Sequence, residues 1–100
     1  MNAAEFAEII KKHRQYVQGN PLGQRADLRL KNLSGLKLKK INLQSAFLSG
    51  ADFSNCDLSH ADLSHADLFG AYLNHAILIG TDLSGADMRG VKLREADLSN

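Results

Sequence analysis

The sequence has no tryptophan, and its 100 residues include one proline, one cysteine and six aromatic side chains of the Phe and Tyr type. The single cysteine, Cys56, excludes an internal disulfide, and no Cys/His cluster has the spacing of a zinc site. With so few large aromatics, a core must be built mainly from leucine and alanine. The length suits one domain or a part of one.

Charge and hydropathy also exclude several classes of protein. The formal net charge is +1, so we expect no direct nucleic-acid binding driven by overall charge. No run approaches the about 18 apolar residues that a membrane span needs. The N-terminus lacks the basic and apolar regions of a signal peptide, and Glu5 lies where such a peptide is apolar. We therefore expect a soluble, cytoplasmic chain that does not contact a membrane.

A hydrophobic residue returns at every fifth position, and a small residue precedes each one by two positions. Between Ala51 and Gly80 the large residues are Phe53, Leu58, Leu63, Leu68, Leu73 and Leu78. Five residues of helix advance by about 500°, so no single helix face collects these side chains. Five residues of strand alternate the face at each repeat. Neither element holds the pattern, so the chain must turn once per repeat.

The spacing of two within each repeat predicts a short extended segment whose small and large residues both point inward. Four such segments, each followed by a corner, close a coil of twenty residues. Stacked coils place residues i and i+20 about 4.8 Å apart. The frame runs without a gap from Ala26 to Asn100, which is fifteen five-residue repeats. The sequence therefore predicts an all-β solenoid in which equivalent side chains stack in columns.

The repeats read ADLSH, ADLSG and ADLSN, and in this they resemble the pentapeptide repeat family. The resemblance covers about three quarters of the chain. It implies a right-handed quadrilateral β-helix, which would have about four coils here. The first coil departs from the motif, because Lys31, Leu36 and Ile41 replace the small residue. We expect these larger groups to point inward and help close the core.

An amphipathic helix is predicted over residues 2–18. Its apolar stripe is Phe6, Ile9, Ile10, His13 and Val17. Asn2 and Glu5 have the spacing of a capping box, and residues 19–21 (GNP) end the helix. We expect the helix to cap the first coil against Leu36, Leu38 and Ile41, with His13 as a packed residue rather than a ligand. Residues 1–25 then form the cap and connector, and residues 26–100 form the β-helix.

The other end shows no such cover, and two explanations stay open. The native chain continues past Asn100, or the last coil meets a second copy of the protein. Some pentapeptide repeat proteins dimerise through their C-terminal ends, so the resemblance allows a homodimer here. The inward side chains of that coil are Met88, Leu93 and Leu98.

We find no catalytic, cofactor or metal site in the sequence. His60 and His65 fall at consecutive corners, and His75 falls at another corner, so the three are too far apart to share a zinc ion. The column spacing places Glu95 next to His75, one coil further along. Cys56 occupies an inward position, where a thiol is expected to be unreactive. No nucleophile has a base and an orienting acid placed by the repeat frame. The sequence therefore predicts that the protein is not an enzyme.

Two surfaces depart from the ordinary motif. Outward positions carry large apolar residues, and the first coil is basic. The apolar residues are Phe47, Phe69, Tyr72, Ile77 and Ile79. The bases include Arg25, Arg29, Lys37, Lys39 and Lys40. Either surface can serve an unidentified protein partner, although the apolar residues do not gather into one large patch.

The predicted function is a non-catalytic protein-interaction or scaffold module that self-associates through its C-terminal coil. One alternative comes from the resemblance, because the family includes DNA-mimicking binders of gyrase, a type II topoisomerase. The aspartates of this chain are dispersed around all four sides, which does not favour that alternative. A second alternative is that the chain is the N-terminal part of a longer repeat protein.

Overall fold

The computed structural model describes residues 1–99, and the chain begins with helix α1 (Ala3–Val17). Asn2 is the N-cap, and its side-chain oxygen accepts the Glu5 backbone N–H at 2.8 Å. The Glu5 carboxylate accepts the Asn2 N–H at 3.3 Å, which completes the predicted capping box. The helix ends at Val17, and Gly19 follows with a φ of 80°. No helix among residues 1–99 is long and apolar enough to cross a membrane.

After the connector, the chain stacks on itself every twenty residues. Parallel bridges join residues at this spacing along the whole repeat region, from Asp27↔Phe47 to Ile77↔Asp97. Each repeat contributes one bridged residue, so the sheets are stacks of isolated bridges rather than long strands. The N–H of Leu68 donates to the Asp87 carbonyl at 3.0 Å, and the Asp67 N–H donates to the Ala46 carbonyl at 3.0 Å. The predicted column spacing is therefore what the structure shows.

Each of the fourteen repeats from residue 26 to residue 95 ends in a turn with a left-handed residue at its corner. In the turn from Leu68 to Ala71, for example, the Ala71 N–H donates to the Leu68 carbonyl at 2.8 Å. The corner residues have φ values from 56° to 77°, a region that glycine, asparagine and histidine enter most readily. Leu30 is a bulky exception, with a φ of 62° and 83% of its surface exposed. The corners are Leu30, Gly35, Lys40, Ser45, Gly50, Asn55, His60, His65, Gly70, His75, Gly80, Gly85, Gly90 and Glu95.

The interior consists of stacked columns of large side chains, mostly leucine, with small residues beside them. Leu48, Phe53, Leu58, Leu63, Leu68 and Leu73 are fully buried. Burying one leucine contributes about 1.5–3 kcal/mol, so this repeated side chain supplies most of the hydrophobic stabilisation. Asp62 bridges Asn42 and Asp82 from an outward position, which keeps its carboxylate out of the core.

The first coil differs from its prediction. Lys31 is exposed, Leu36 is 40% exposed, and Ile41 is half-buried, so the first two are not buried in the core and do not close it as expected. From helix α1, Ile10 joins the buried core and Phe6 packs against it. Leu36 lies at the rim of a groove of about 360 Å³ that Phe6 and Leu38 also line.

His13 joins α1 to the first coil through two hydrogen bonds. Its side chain is fully buried, and its Nδ1 accepts the Ala26 N–H at 2.9 Å. Its Nε2 lies 2.9 Å from the Gln44 carbonyl oxygen, to which it donates in the neutral form. The Ala26 N–H thus replaces the turn bond that it would make to a preceding repeat, and the Gln44 carbonyl replaces the bond that it would accept from a preceding coil. Burial lowers the pKa of His13, since the charged ring would lose its hydration.

Candidate interaction surface

In ten of the repeats an aspartate or asparagine occupies the outward position and stabilises the backbone locally. Asp62 illustrates the contact, because its Oδ1 accepts the Ser64 N–H at 2.9 Å. The Ser hydroxyl adds a second bond in several repeats and lowers the pKa of Asp57, Asp82 and Asp97. The same backbone contact recurs from Asp27, Asn32, Asn42, Asp52, Asp57, Asp67, Asp82, Asp87 and Asp97. These acids form turns on four sides rather than one acidic surface.

Five repeats replace that residue and lose the contact. They carry Lys37, Phe47, Tyr72, Ile77 and Lys92 at the outward position. A side-chain to backbone hydrogen bond contributes about 0.5–1.5 kcal/mol, so each replacement gives up local stability. Positions where a sequence breaks its own structural rule are candidates for function. Four of the predicted surface residues, Lys37, Phe47, Tyr72 and Ile77, therefore occupy positions that depart from the motif.

Phe47 is partly covered by arginines of the first coil. The Arg25 guanidinium carbon lies 3.8 Å from the Phe47 ring centroid, and that of Arg29 lies 5.4 Å away. Arg25 also donates to the Ser45 carbonyl. Arg29 forms an ion pair with Asp27 at 2.7 Å and holds the pKa of that carboxyl at about 2. These two bases are thus engaged within the protein.

The three lysines of the predicted basic surface are free by comparison. Lys37, Lys39 and Lys40 are exposed, and within residues 1–99 no carboxylate lies within 4.0 Å of their side-chain nitrogens. Lys37 bridges Asp57 through the backbone, and their side chains form no ion pair. On the basic surface of the first coil, the side chains that remain available to a partner are therefore these lysines.

Phe69, in the third coil, also has an arginine near its ring, as Phe47 does. The Arg89 guanidinium lies 5.5 Å from its ring centroid and pairs with Asp87 at 2.8 Å, which holds the Asp87 pKa at about 2. Phe69 remains 52% exposed and lines a shallow groove of about 870 Å³ with Leu30 and two stacked corner glycines. Sequence reasoning missed Leu30, although a leucine among glycine, histidine and asparagine corners was a visible signal.

Tyr72, Ile77 and Ile79 lie on two consecutive sides of the same coil. Tyr72 is 41% exposed, Ile77 is 39% exposed, and Ile79 is half-buried. The Lys92 ammonium lies 5.2 Å from the Tyr72 ring centroid. The corner between these two sides is His75, which pairs with Glu95 at 3.1 Å as the column spacing predicts. The structure thus brings these three residues onto one stretch of surface, around a corner.

The side chains of His60, His65 and Cys56 each contact a neighbouring coil. A β-carbon built at Gly80 would lie 2.5 Å from the His60 ring, and one at Gly85 would lie 2.4 Å from the His65 ring. Each ring therefore covers the glycine of the next coil. Cys56 is buried, and its thiol donates to the Leu33 carbonyl at 2.9 Å. Burial raises the pKa of that thiol. No group of three metal-ligating side chains occurs within residues 1–99.

The last coil presents its core side chains to solvent. Met88 and Leu93 are partly buried, and Leu98 is 52% exposed. Backbone donors also lack partners there. The Leu73 N–H donates to the Lys92 carbonyl at 2.8 Å, whereas the N–H groups of Met88 and Leu93 have no backbone acceptor within residues 1–99. The predicted terminal surface is thus an apolar, unpaired end. Asn100 lies outside the described residues.

Comparisons with known proteins agree with the repeat geometry. A family model for pentapeptide repeats matches residues 32–68 and 66–100, with 8 copies of the repeat. The chain is similar to HetL, a pentapeptide repeat protein involved in heterocyst differentiation regulation from the cyanobacterium Nostoc sp. strain PCC 7120. Their identity is 37% and the TM-score is 0.61, with 98% of this chain and 37% of HetL covered. The chain thus spans little more than a third of that relative.

A second similar structure is alr5209, a pentapeptide repeat protein from Nostoc PCC 7120. It is 27% identical, with a TM-score of 0.47, and the match covers 90% of this chain and 84% of alr5209. A search of curated proteins found no match. The family match and the likeness to HetL imply a right-handed β-helix solenoid.

Proposed function

The chain belongs to the pentapeptide repeat family, and we propose that it is a non-catalytic protein-interaction module that self-associates through its last coil. Members of this family are generally non-enzymatic structural or interaction modules. In this proposal the solenoid is a quadrilateral of about four coils. Helix α1 closes the first coil, and the last coil is the binding end.

The difference between the two ends supports this proposal. At the first coil, Ile10 of α1 is buried, and His13 bonds the Ala26 N–H and the Gln44 carbonyl, which have no preceding repeat or coil to bond. Such a cover prevents stacking on that end, because unpaired backbone invites association with other chains. The proposal therefore places association at the opposite end, in the last described coil.

The single observation that carries the proposal is the state of that last coil. Its leucines lie in the same columns as buried leucines of other coils, yet Leu98 is 52% exposed. Its N–H groups at Met88 and Leu93 point where a further coil would supply carbonyls. A second copy of the chain offers the same apolar and hydrogen-bonding groups, so end-on pairing of two last coils buries both.

Sedimentation of Leu98→Glu against the unchanged protein tests the proposal. A charge at the centre of an apolar contact raises the dissociation constant of the dimer by at least about tenfold. Leu22→Glu is the matched control, because Leu22 is 72% exposed and lies on the connector. That variant should associate like the unchanged protein.

Hydrogen exchange adds a readout specific to this end. The Met88 and Leu93 amides should become protected as protein concentration rises, whereas amides of the first coil should not change. A protein that stays monomeric over the accessible concentration range, or one that Leu22→Glu disrupts equally, contradicts the proposed dimer.

A further inference from the structure

We propose that a second, lateral interface pairs two copies of this chain side by side in antiparallel orientation. The surface is side two, defined as residues 31–35, 51–55, 71–75 and 91–95. Its outward column contains Asp52, Tyr72 and Lys92, joined by the parallel bridges Asp52↔Tyr72 and Tyr72↔Lys92. An acid, an aromatic ring and a base therefore follow one another at about 4.8 Å per step. This inference is independent of the end-on dimer.

The two charges in this column are available to a partner. The Asp52 carboxylate accepts the Ser54 N–H at 2.9 Å, and within residues 1–99 no basic nitrogen lies within 4.0 Å of it. The Lys92 ammonium donates to the Gly90 carbonyl at 3.1 Å and has no carboxylate partner in the same range. Tyr72 lies between them and is 41% exposed. The column thus has an apolar centre flanked by unpaired opposite charges.

This order of charges is self-complementary under one orientation. A two-fold axis along the bridged segments at the level of Tyr72 turns the second copy upside down. Tyr72 then faces Tyr72 of the second copy, and each Asp52 faces the Lys92 of the other chain. Arg94, beside Lys92, adds a diagonal contact to the same carboxylate. A parallel arrangement would instead oppose Asp52 to Asp52, so the charges select the antiparallel one.

The other sides lack this property. Side one is residues 26–30, 46–50, 66–70 and 86–90, side three is residues 36–40, 56–60, 76–80 and 96–99, and side four is residues 41–45, 61–65 and 81–85. On side three, Ile77 has Asp57 on one side and Asp97 on the other, so the same rotation opposes acid to acid. On side four, the bridged residues include Asp62 and Asp82 with no apolar residue at the centre. The arginines of side one that flank its phenylalanines are already paired with aspartates or bound to backbone. Side two is thus the surface that fits a second copy.

One side of a short solenoid is a small contact. Just under four coils at about 4.8 Å each give a surface only about 18 Å tall, too small for a standard protein interface. We therefore expect a weak, salt-sensitive association. Raising the salt concentration from about 0.05 M to 0.5 M should weaken it several-fold, because the Debye length shortens from over 10 Å to a few ångströms.

A charge-exchange experiment tests this interface, in a Leu98→Glu background so that end-on pairing is blocked. Lys92→Glu alone opposes two acids at each contact, and Asp52→Lys alone opposes two bases. Each variant should self-associate at least about tenfold more weakly than the parent. In an equimolar mixture, however, the heterodimer opposes acids to bases at both contacts. The mixture should regain the parent dissociation constant within about threefold.

The measurements are sedimentation and NMR shift changes at side-two amides. Asp82→Lys, on side four, is the matched control for net charge and should leave association unchanged. Rescue by mixing also separates the interface from any folding defect in Asp52→Lys, because a damaged chain is not repaired by a second variant. A mixture that stays monomeric, a parent that does not associate, or an equal effect of Asp82→Lys overturns the proposal.

Discussion

The two ends of the solenoid use the same kind of core residue and differ in what covers it. Leu38 of the first coil and Leu98 of the last coil belong to one column, three coils apart. Leu38 is 6% exposed, and Leu98 is 52% exposed. The difference comes from α1, whose Ile10 and Phe6 pack against the first coil. The burial of a core leucine therefore depends on what covers its coil, either a neighbouring coil or α1, and not on the sequence of its own repeat.

The largest expected effect contrasts these two leucines. Leu38→Ala should lower the free energy of unfolding by about 2–4 kcal/mol, because it leaves a cavity beneath α1. Leu98→Ala removes a side chain that is already about half exposed to solvent, so it should lower the free energy of unfolding of the monomer by less than about 1 kcal/mol. Urea denaturation at low protein concentration measures both. Equal losses would show that α1 does not bury the first coil.

His13 should be the next most sensitive position. His13→Phe keeps most of the ring volume but leaves the Ala26 N–H and the Gln44 carbonyl without their partner. An unsatisfied buried group costs about 1–3 kcal/mol, so we expect a loss of about 2–3 kcal/mol. Lys11→Ala, on the exposed face of α1, is the control and should change stability little. A wild-type unfolding curve for His13→Phe would contradict the role given to these two bonds.

The same residue predicts a pH dependence. The folded-state pKa of His13 lies below its unfolded value of 6.5, so the unfolded chain takes up the proton first. The stability from neutral His13 is thus complete above pH 6.5 and is lost as pH falls below that value. Comparing the unfolding free energy of wild type and His13→Phe between pH 7.5 and pH 5 isolates this effect from the exposed histidines. Parallel pH profiles would contradict it.

The smallest effect is expected at the start of α1. Asn2→Ala removes the side-chain acceptor of the capping box and should cost about 1 kcal/mol. Asn2→Asp retains an acceptor and should retain the stability. Hydrogen exchange should show the loss in α1 and the first coil, and not in the last coil. An equal loss at both ends would contradict the view that α1 acts locally.

Much of this fold could be predicted from the sequence, because a period of five fits no regular helix or strand. That mismatch led to coils of twenty residues, and bridges such as Asp62↔Asp82 confirm the register. The capping box of Asn2 and Glu5 was also visible, because it depends on local spacing alone. Patterns that involve neighbours in sequence were thus the reliable ones.

Properties that depend on long-range packing were not predictable in the same way. The exposure of Lys31 and Leu36 depends on where α1 crosses the first coil, which the repeat frame does not contain. The two bonds of His13 likewise depend on the docked position of the helix. The engagement of Arg25 and Arg29 with Phe47 could have been suspected from their column positions, yet the geometry required the structure.

Hydrogen exchange of single amides in dilute solution tests the contrast between the ends most directly. The Leu28, Leu33 and Leu43 N–H groups donate to carbonyls of the second coil, and the three leucines are buried. The Met88 and Leu93 N–H groups have no backbone acceptor within residues 1–99. We predict slow exchange for the Leu28, Leu33 and Leu43 amides and fast exchange for the Met88 and Leu93 amides. Rapid exchange throughout the first coil, or protection of Met88 and Leu93 in the dilute monomer, would contradict it.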